Sequence, residues 1–323
     1  MTTLVTGGAG YVGSHVVLAL RAAGRAVVVI DDLRIGDRAF VPPDVPLVQG
    51  DVGDRTVLDH TFATYPVSAV IHLAASTLIQ DSLADPKAYY RNNVINTQTL
   101  IDACLDYGVD RFVFASTAAV YGASGGTPVD EDRMPQPISP YGATKLLAER
   151  IVGRAGEHGL SYAILRCFNV AGVDPSGRAG RGACGGQHLI QIACDVAQGR
   201  RDRLTIFGTD YPTADGTGVR DYLHVSDLAD AHRSALEYVS GSRRAVLFNV
   251  GYGKGHSVLE VIAAVESATG NPIPLALAGR RQGDAAIVVA NADRLKSTLG
   301  WRPEHDDLGF IVRTALAMER CAI

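Results

Sequence analysis

"TLVTGGAGYVGSHVVLALRAAGRAVVVIDD", residues 3–32, holds an apolar run, a cluster of glycines, an apolar pattern of helical period over 11–23 and a second valine-rich run ending in two aspartates. Gly8, Gly10 and Gly13 satisfy G-x-G-x-x-G, and Gly7, Gly10 and Gly13 satisfy the wider G-x-x-G-x-x-G. Without side chains, the backbone can turn sharply between strand and helix and come close to a pyrophosphate, which then sits at the positive end of the helix dipole. Asp31, eighteen residues past Gly13, ends the second strand, where a carboxylate accepts from ribose hydroxyls and repels a 2′-phosphate. This favours NAD over NADP, with Arg34 close by pulling slightly the other way.

Outward from this stretch, buried-strand patterns alternate with helical ones. "VPLVQGD", a helix near 54–64, "SAVIHLAA", a helix near 86–107, "RFVFAST" at 111–117, a helix opened by "SPYGATK" and "SYAILRCFNV" at 161–170 follow in turn. Six such strands predict a doubly wound parallel α/β sheet, a Rossmann domain over 1–168. After Asn169 the glycine-rich stretch "GVDPSGRAGRGACGG" opens a smaller mixed α/β lobe over 169–323. Within it, residues near 219–250 are expected to rejoin the main sheet.

The chain of 323 residues carries 30 basic against 34 acidic side chains, a formal charge of −4, which implies no polyanion-binding surface and no nucleic-acid partner. Cys104, Cys167, Cys184, Cys194 and Cys321 are scattered without C-x-x-C spacing, which predicts neither a disulfide framework nor a zinc site and suits the cytoplasm. No signal peptide or membrane span is visible, and the nine histidines form no metal-binding motif.

Tyr141 and Lys145 lie four residues apart in the helix opened by "SPYGATK", on one face. A cation beside a phenol favours the phenolate, and a phenolate near a nicotinamide can take a hydroxyl proton while hydride leaves the carbon. Ser116 and Thr117, at the C-terminal end of their strand where such sheets bind ligands, offer a hydroxyl to orient a substrate. A packed ring beside a solvated charge has the same sequence pattern.

The segments "VTGGAGYVGSH", "IHLAA", "NNVINTQTL", "FASTAAVYG", "SPYGATK", "LRCFNVAG", "IFGTDYPTADGTGVRDYLHVSDLADAH" and "RRQGD" together resemble the extended short-chain dehydrogenase/reductases and, within them, the UDP-galactose 4-epimerases. The resemblance spans essentially the whole chain, and residues 206–232 are its most specific part. It implies Tyr141 as base and acid, Lys145 lowering the phenol's pKa and holding the nicotinamide ribose, and Thr117 orienting the sugar. Gly7, Gly10, Tyr11, Val12, Gly13, Asp31, Asp51, Val52, Leu73, Ala74, Ala75 and Asn92 would complete the NAD site. Asn169, His188, Leu189, Arg220, Arg281, Asp284 and Val288 would hold the UDP-sugar, with the arginines near its phosphates and Asp284 on the uridine ribose. The implied reaction oxidises the sugar's 4-hydroxyl to a ketone, turns the 4-ketose in the site and returns hydride to the opposite face. A homodimer paired through the main domain, with "YYRNNVINTQTLIDACLDYG" as candidate face, is also implied.

Four positions depart from the family pattern: Thr77 for a lysine near the cofactor phosphates, Cys167 for a tyrosine, His188 for an asparagine and Val288 for a tyrosine that narrows the hexose pocket. The last opens the pocket to UDP-GlcNAc and UDP-GalNAc. Ala118 and Ala119 after Thr117 leave a dehydratase without its carboxylates. UDP-glucuronate 4-epimerisation and a non-catalytic NAD or nucleotide-sugar sensor remain as alternatives.

Overall fold

The computed structural model describes residues 2–123, 128–179, 188–241 and 244–317. In chain order, β1 (Thr2–Thr6), α1 (Tyr11–Ala22), β2 (Ala26–Asp31), β3 (Leu47–Gln49), α2 (Arg55–Thr64) and β4 (Val67–His72) build the first half of the sheet. Short helices α3 (Ile79–Ala84) and α4 (Pro86–Tyr90), a π-helical turn over Arg91–Ile95, α5 (Asn96–Asp106), β5 (Arg111–Thr117), α6 (Pro140–Glu157) and β6 (Ser161–Cys167) build the second. The expected helix near 86–107 is therefore helical throughout but widened in its middle, a device that recurs at functional sites.

The strand run expected over 161–170 divides at Phe168. β6 stays in the main sheet, and β7 (Asn169–Ala171) leaves it to pair with β9 (Val219–His224). The reason is occupancy. β10 (Ala245–Val250) takes the place beside β6, with Val250 opposite Cys167, and the Phe168 N–H donates to the Val250 carbonyl at 3.1 Å. The main sheet thus has seven parallel strands in the order β10-β6-β5-β4-β1-β2-β3. The order reverses between β1 and β4, which opens the ligand crevice at their C-terminal ends.

The expectation that residues 219–250 rejoin this sheet needs correction for its first part. β10 joins it, and α8 (Val225–Val239) shares a buried cluster with α1 through Leu228, Ala231, Ala235, Val16, Val17 and Leu20. β9 instead pairs with β7, with β11 (Gly255–Ser257) and with β13 (Ile287–Val288) in a four-stranded sheet. β8 (Leu204–Phe207) and β12 (Leu275–Ala278) form a separate parallel pair. Helices α7 (Leu189–Ala197), α9 (Val258–Thr269), α10 (Asp293–Leu299) and α11 (Leu308–Leu316) complete the described chain.

Valine and isoleucine dominate β2 and β4, and threonine, leucine and valine make up β1, because the centres of those strands are buried on both faces. One core cluster joins β1 and β2 to α1, α7, α8 and α9, and a second joins Leu58 of α2, Leu100 of α5 and Val152 of α6 on the opposite side. Asp221 knots the smaller sheet to its surroundings. Its fully buried carboxylate accepts from the backbone N–H groups of Tyr252 (3.0 Å), Gly253 (2.8 Å) and Ala290 (3.2 Å). Asp221→Asn is expected to lower the unfolding free energy by about 2 kcal/mol, because buried donors lose a charged acceptor; urea unfolding monitored by circular dichroism measures it.

Candidate active site

The glycine loop is fixed by close backbone approach. Gly7 has φ of +70°, and a Cβ there would lie 2.7 Å from the Ala74 nitrogen. At Gly13 a Cβ would stand 2.0 Å from the Gly7 carbonyl oxygen, so α1 can begin directly above β1 only with glycine there. Gly10 differs, since its Cβ would meet only that same oxygen, at 3.3 Å. Gly10 is the N-cap of α1 and has no capping side chain, so the first-turn N–H groups of Tyr11, Val12 and Gly13 face the crevice without a side-chain acceptor. That arrangement suits an anion.

Asp31 is buried at the end of β2. Its Oδ2 accepts from Ala9 N–H and its Oδ1 from Leu33 N–H, both at 2.9 Å, leaving each oxygen further acceptor capacity. Burial pushes its carboxyl above the usual range, with both backbone bonds opposing. Arg34 is tied to Asp32 at 2.5 Å. Asp51 follows β3 and accepts from Gly53 N–H (2.8 Å) and Asn96 Nδ2 (2.7 Å), beside buried Val52. Asn96 reaches Asn92 at 3.3 Å, and Asn92 donates to the Ser76 hydroxyl at 2.9 Å. The π-helical turn thereby ties Asp51 to the loop that carries Leu73, Ala74 and Ala75, where Leu73 N–H is held by the Thr6 carbonyl. Tyr11 uses its phenol elsewhere, donating to the Gly172 carbonyl. Thr77 is exposed on this loop.

Ser139 caps α6 through Gly142 N–H at 3.2 Å, with Pro140 in its first turn. The helix presents buried Tyr141 and Lys145 to the ends of β5 and β6. The Thr117 side chain neighbours the Tyr141 phenol and favours its ionised form, and the Tyr89 ring meets the phenol edge-on at 6.4 Å. Burial raises the Tyr141 pKa above that of free tyrosine, neighbouring Thr117 opposes this, and the Lys145 ammonium sits 4.1 Å over the Phe114 ring. Burial also brings Lys145 down to about 8, against the raising influence of Cys167 and Glu149. Cys167, opposite Thr117 on β6, is pushed up to about 12 by burial. Ser116 points to the other side of the strand, where it donates to Glu149.

The smaller lobe gathers the remaining residues. Asn169 opens β7 and is exposed. Arg220 makes no ion pair with its neighbour Asp221; its Nη1 donates to the carbonyls of Val219 (2.9 Å) and Ala286 (3.4 Å). Val288 stands opposite Arg220 in the ladder and packs beside Tyr121, Val129 and Phe168. Arg281 pairs with Asp284 at 3.0 Å and lies 4.5 Å over the ring of Phe207, an aromatic that sequence reading passed over. The loop between them reaches the mouth of α6, where a Cβ on Gly283 would lie 3.9 Å from the Ile138 carbonyl. His188 precedes α7 without capping it and is exposed, and Leu189 follows as the first helical residue. The stretch 180–187, including Cys184, and residues 318–323, including Cys321, lie outside the described residues. Cys104, Cys167 and Cys194 are free, and among the described residues no cluster suits a metal. No described helix is long and apolar enough to cross a membrane.

Open first-turn N–H groups, the space left at Gly10 and acceptors at the ends of β2 and β3 fit a dinucleotide. With Thr117, Tyr141 and Lys145 beside that crevice, fold and site define an enzyme of the short-chain dehydrogenase/reductase class. Residues 3–251 match the NAD dependent epimerase/dehydratase family, and the chain belongs to it. It is 52% identical over 318 residues to a UDP-glucose 4-epimerase of Azospirillum brasilense, covering 98% of this chain and 91% of the relative. The UDP-glucose 4-epimerase of Brucella ovis, solved in complex with NAD, superposes with a TM-score of 0.94 at 40% identity, covering 98% of this chain and 97% of that one. The UDP-Glc/GlcNAc 4-epimerase of Campylobacter jejuni gives 0.85 at 36%, with 98% of each chain covered.

The glycine geometry separates folding from binding. Gly10→Ala is expected to keep the thermal midpoint near wild type while weakening NAD retention, because its Cβ enters the anion site. Gly13→Ala is expected to lose both, as read by differential scanning fluorimetry and by the NAD content of purified protein.

Proposed function

We propose that this protein is an isomerase that interconverts UDP-glucose and UDP-galactose through a transient 4-keto sugar. The observation that carries the reading is the contact of Thr117 with Tyr141, one helical turn from Lys145, in a chain similar over its full length to UDP-glucose 4-epimerases. Bound NAD supplies a nicotinamide that accepts hydride from the sugar and returns it. Tyr141 holds the proton exchanged with the sugar's 4-hydroxyl, and Thr117 orients that hydroxyl. A phenol raised by burial gives up its proton only when positive charge stabilises the anion, and Lys145 is the cation on the same helical face. Asp31 and Asp51 receive the adenosine half, and the N-terminus of α1 receives the pyrophosphate. Arg220 and Arg281 offer guanidinium donors to the UDP diphosphate, and Asp284 offers a carboxylate to its ribose. Asn169, His188 and Leu189 border the sugar.

Val288 leaves the hexose side less filled than a tyrosine would, and one similar enzyme is described as a UDP-Glc/GlcNAc 4-epimerase. We therefore include UDP-GlcNAc among the substrates. The relatives are UDP-glucose 4-epimerases, which does not favour the glucuronate alternative. A sensor would have no use for the Thr117–Tyr141 contact. Tyr90, Ile95 and Leu147 are exposed apolar residues on the α4 to α6 face, which we take as the surface pairing two copies into a homodimer. The free thiols suit a cytoplasmic location.

Purified protein given UDP-glucose without added NAD is expected to yield UDP-galactose by chromatography; no product even with NAD supplied would sink the reading. Tyr141→Phe is expected to cost on the order of 1,000-fold in kcat while retaining NAD and UDP-sugar binding. Val288→Tyr is expected to depress turnover of UDP-GlcNAc selectively, and equal losses on both sugars would remove the specificity claim. Light scattering reporting a monomer would remove the dimer.

A further inference from the structure

Thr117 comes from β5, and Tyr141 and Lys145 come from α6, so their alignment depends on how helix and strand are joined. Glu149 follows Lys145 by four residues, as Lys145 follows Tyr141, so the three share the stripe that faces the sheet. On the strands, Ser116 precedes Thr117 and stands opposite Arg166, which precedes Cys167. Ser116 donates to Glu149 Oε1, and Arg166 donates through Nε to Oε1 at 3.0 Å and through Nη2 to Oε2 at 2.7 Å. Arg166 and Glu149 are only 4% and 6% exposed. The guanidinium also lies 4.7 Å from the centre of the Tyr121 ring, and the Tyr121 phenol donates to Asn249 of β10 at 2.7 Å. One buried network thus joins α6 to β5, β6 and β10 immediately behind the site. For stability alone such a pair is a poor choice, because apolar groups of similar volume often serve as well or better.

We propose that the Ser116–Glu149–Arg166 network is a positioning device for the reaction: it holds the strand end bearing Thr117 against the helix face bearing Tyr141 and Lys145, and keeps a carboxylate one turn from the lysine. The inference rests on the epimerase reading. Lys145 is faced by the Phe114 ring of β5, His72 of β4, Cys167 of β6, and Tyr141 and Glu149 of its own helix. His72 is held neutral by burial, and burial keeps Cys167 protonated. Glu149 is the one carboxylate in this set, and it acts to raise the Lys145 pKa against burial. Without its charge, Lys145 loses its proton at a lower pH, and activity that needs the ammonium fails earlier as pH rises.

The test compares wild type, Glu149→Gln and the double variant Glu149→Met/Arg166→Met in thermal midpoint and in kcat and KM for UDP-glucose from neutral to alkaline pH. In Glu149→Gln, kcat is expected to fall on the order of 100-fold with KM little changed, and the alkaline limb of the pH profile to move to lower pH. The double variant, whose apolar side chains replace the pair, is expected to keep a midpoint near wild type and still show the loss in kcat. A folded double variant with wild-type kcat, or an unshifted alkaline limb in Glu149→Gln, overturns the proposal. Should Glu149→Gln fail to fold, the double variant decides; failure of both to fold shows a role in stability and also overturns it. Wild type that leaves UDP-glucose unchanged overturns the epimerase reading and this inference with it, whereas active wild type with unaffected variants overturns this inference alone.

Discussion

The start of α1 lies so close to the end of β1 that the backbone of Gly7 occupies the place where a side chain at Gly13 would be. The approach lets the helix rise directly from the strand and leaves its first-turn N–H groups uncapped and turned toward the crevice. Strand order then puts that crevice at the reversal between β1 and β4, which gathers the ends of β2, β3, β4 and β5 around one opening. Asp31, Asp51, the loop after β4 and Thr117 occupy those ends. The second lobe is tied to the same helix, for Tyr11 donates to the Gly172 carbonyl and His15 accepts from Asp174 N–H at 2.9 Å. The glycine loop and the second lobe are therefore referenced to one helix N-terminus.

Burial has opposite effects on the two ionisable groups at the centre of the site. It raises the pKa of the Tyr141 phenol and lowers that of the Lys145 ammonium, since both charged forms lose solvation. The ring of Phe114 gives the ammonium a face to rest on, and Glu149 supplies negative charge one turn away. Such a site is kept near neutrality by its own interior, and the phenolate is formed only where positive charge outweighs the cost of its burial. The same environment keeps His72 neutral, so it serves as a hydrogen-bonded link between Thr6 and Thr97.

Much of this was legible from local pattern. Strand β1, the glycines, α1 and Asp31 are contiguous, and short-range sterics alone join them. The Ser139 cap and the Tyr141–Lys145 spacing are likewise contained in one helical stretch. Long-range placements were less legible. The fate of Asn169 depended on β10, roughly eighty residues later, taking the edge beside β6. Phe207 under Arg281 and Asn96 under Asp51 join segments with no shared periodicity. Nothing in the local sequence marks Glu149 as different from a helix-surface carboxylate, and its burial against Arg166 arises only when α6 packs on β6.

The sequence by itself determined the alternation of strand and helix, the glycine loop, the carboxylate that follows it and the one-face arrangement of tyrosine and lysine, because each depends on spacing within a few turns of chain. Tertiary structure alone decided that β9 belongs to the second sheet, that Arg220 stands opposite Val288 rather than pairing with Asp221, and how deeply the Tyr141 phenol is buried. Those outcomes follow from which strand fills an edge and how far water is excluded around a charge, and both are set by residues far apart in the chain.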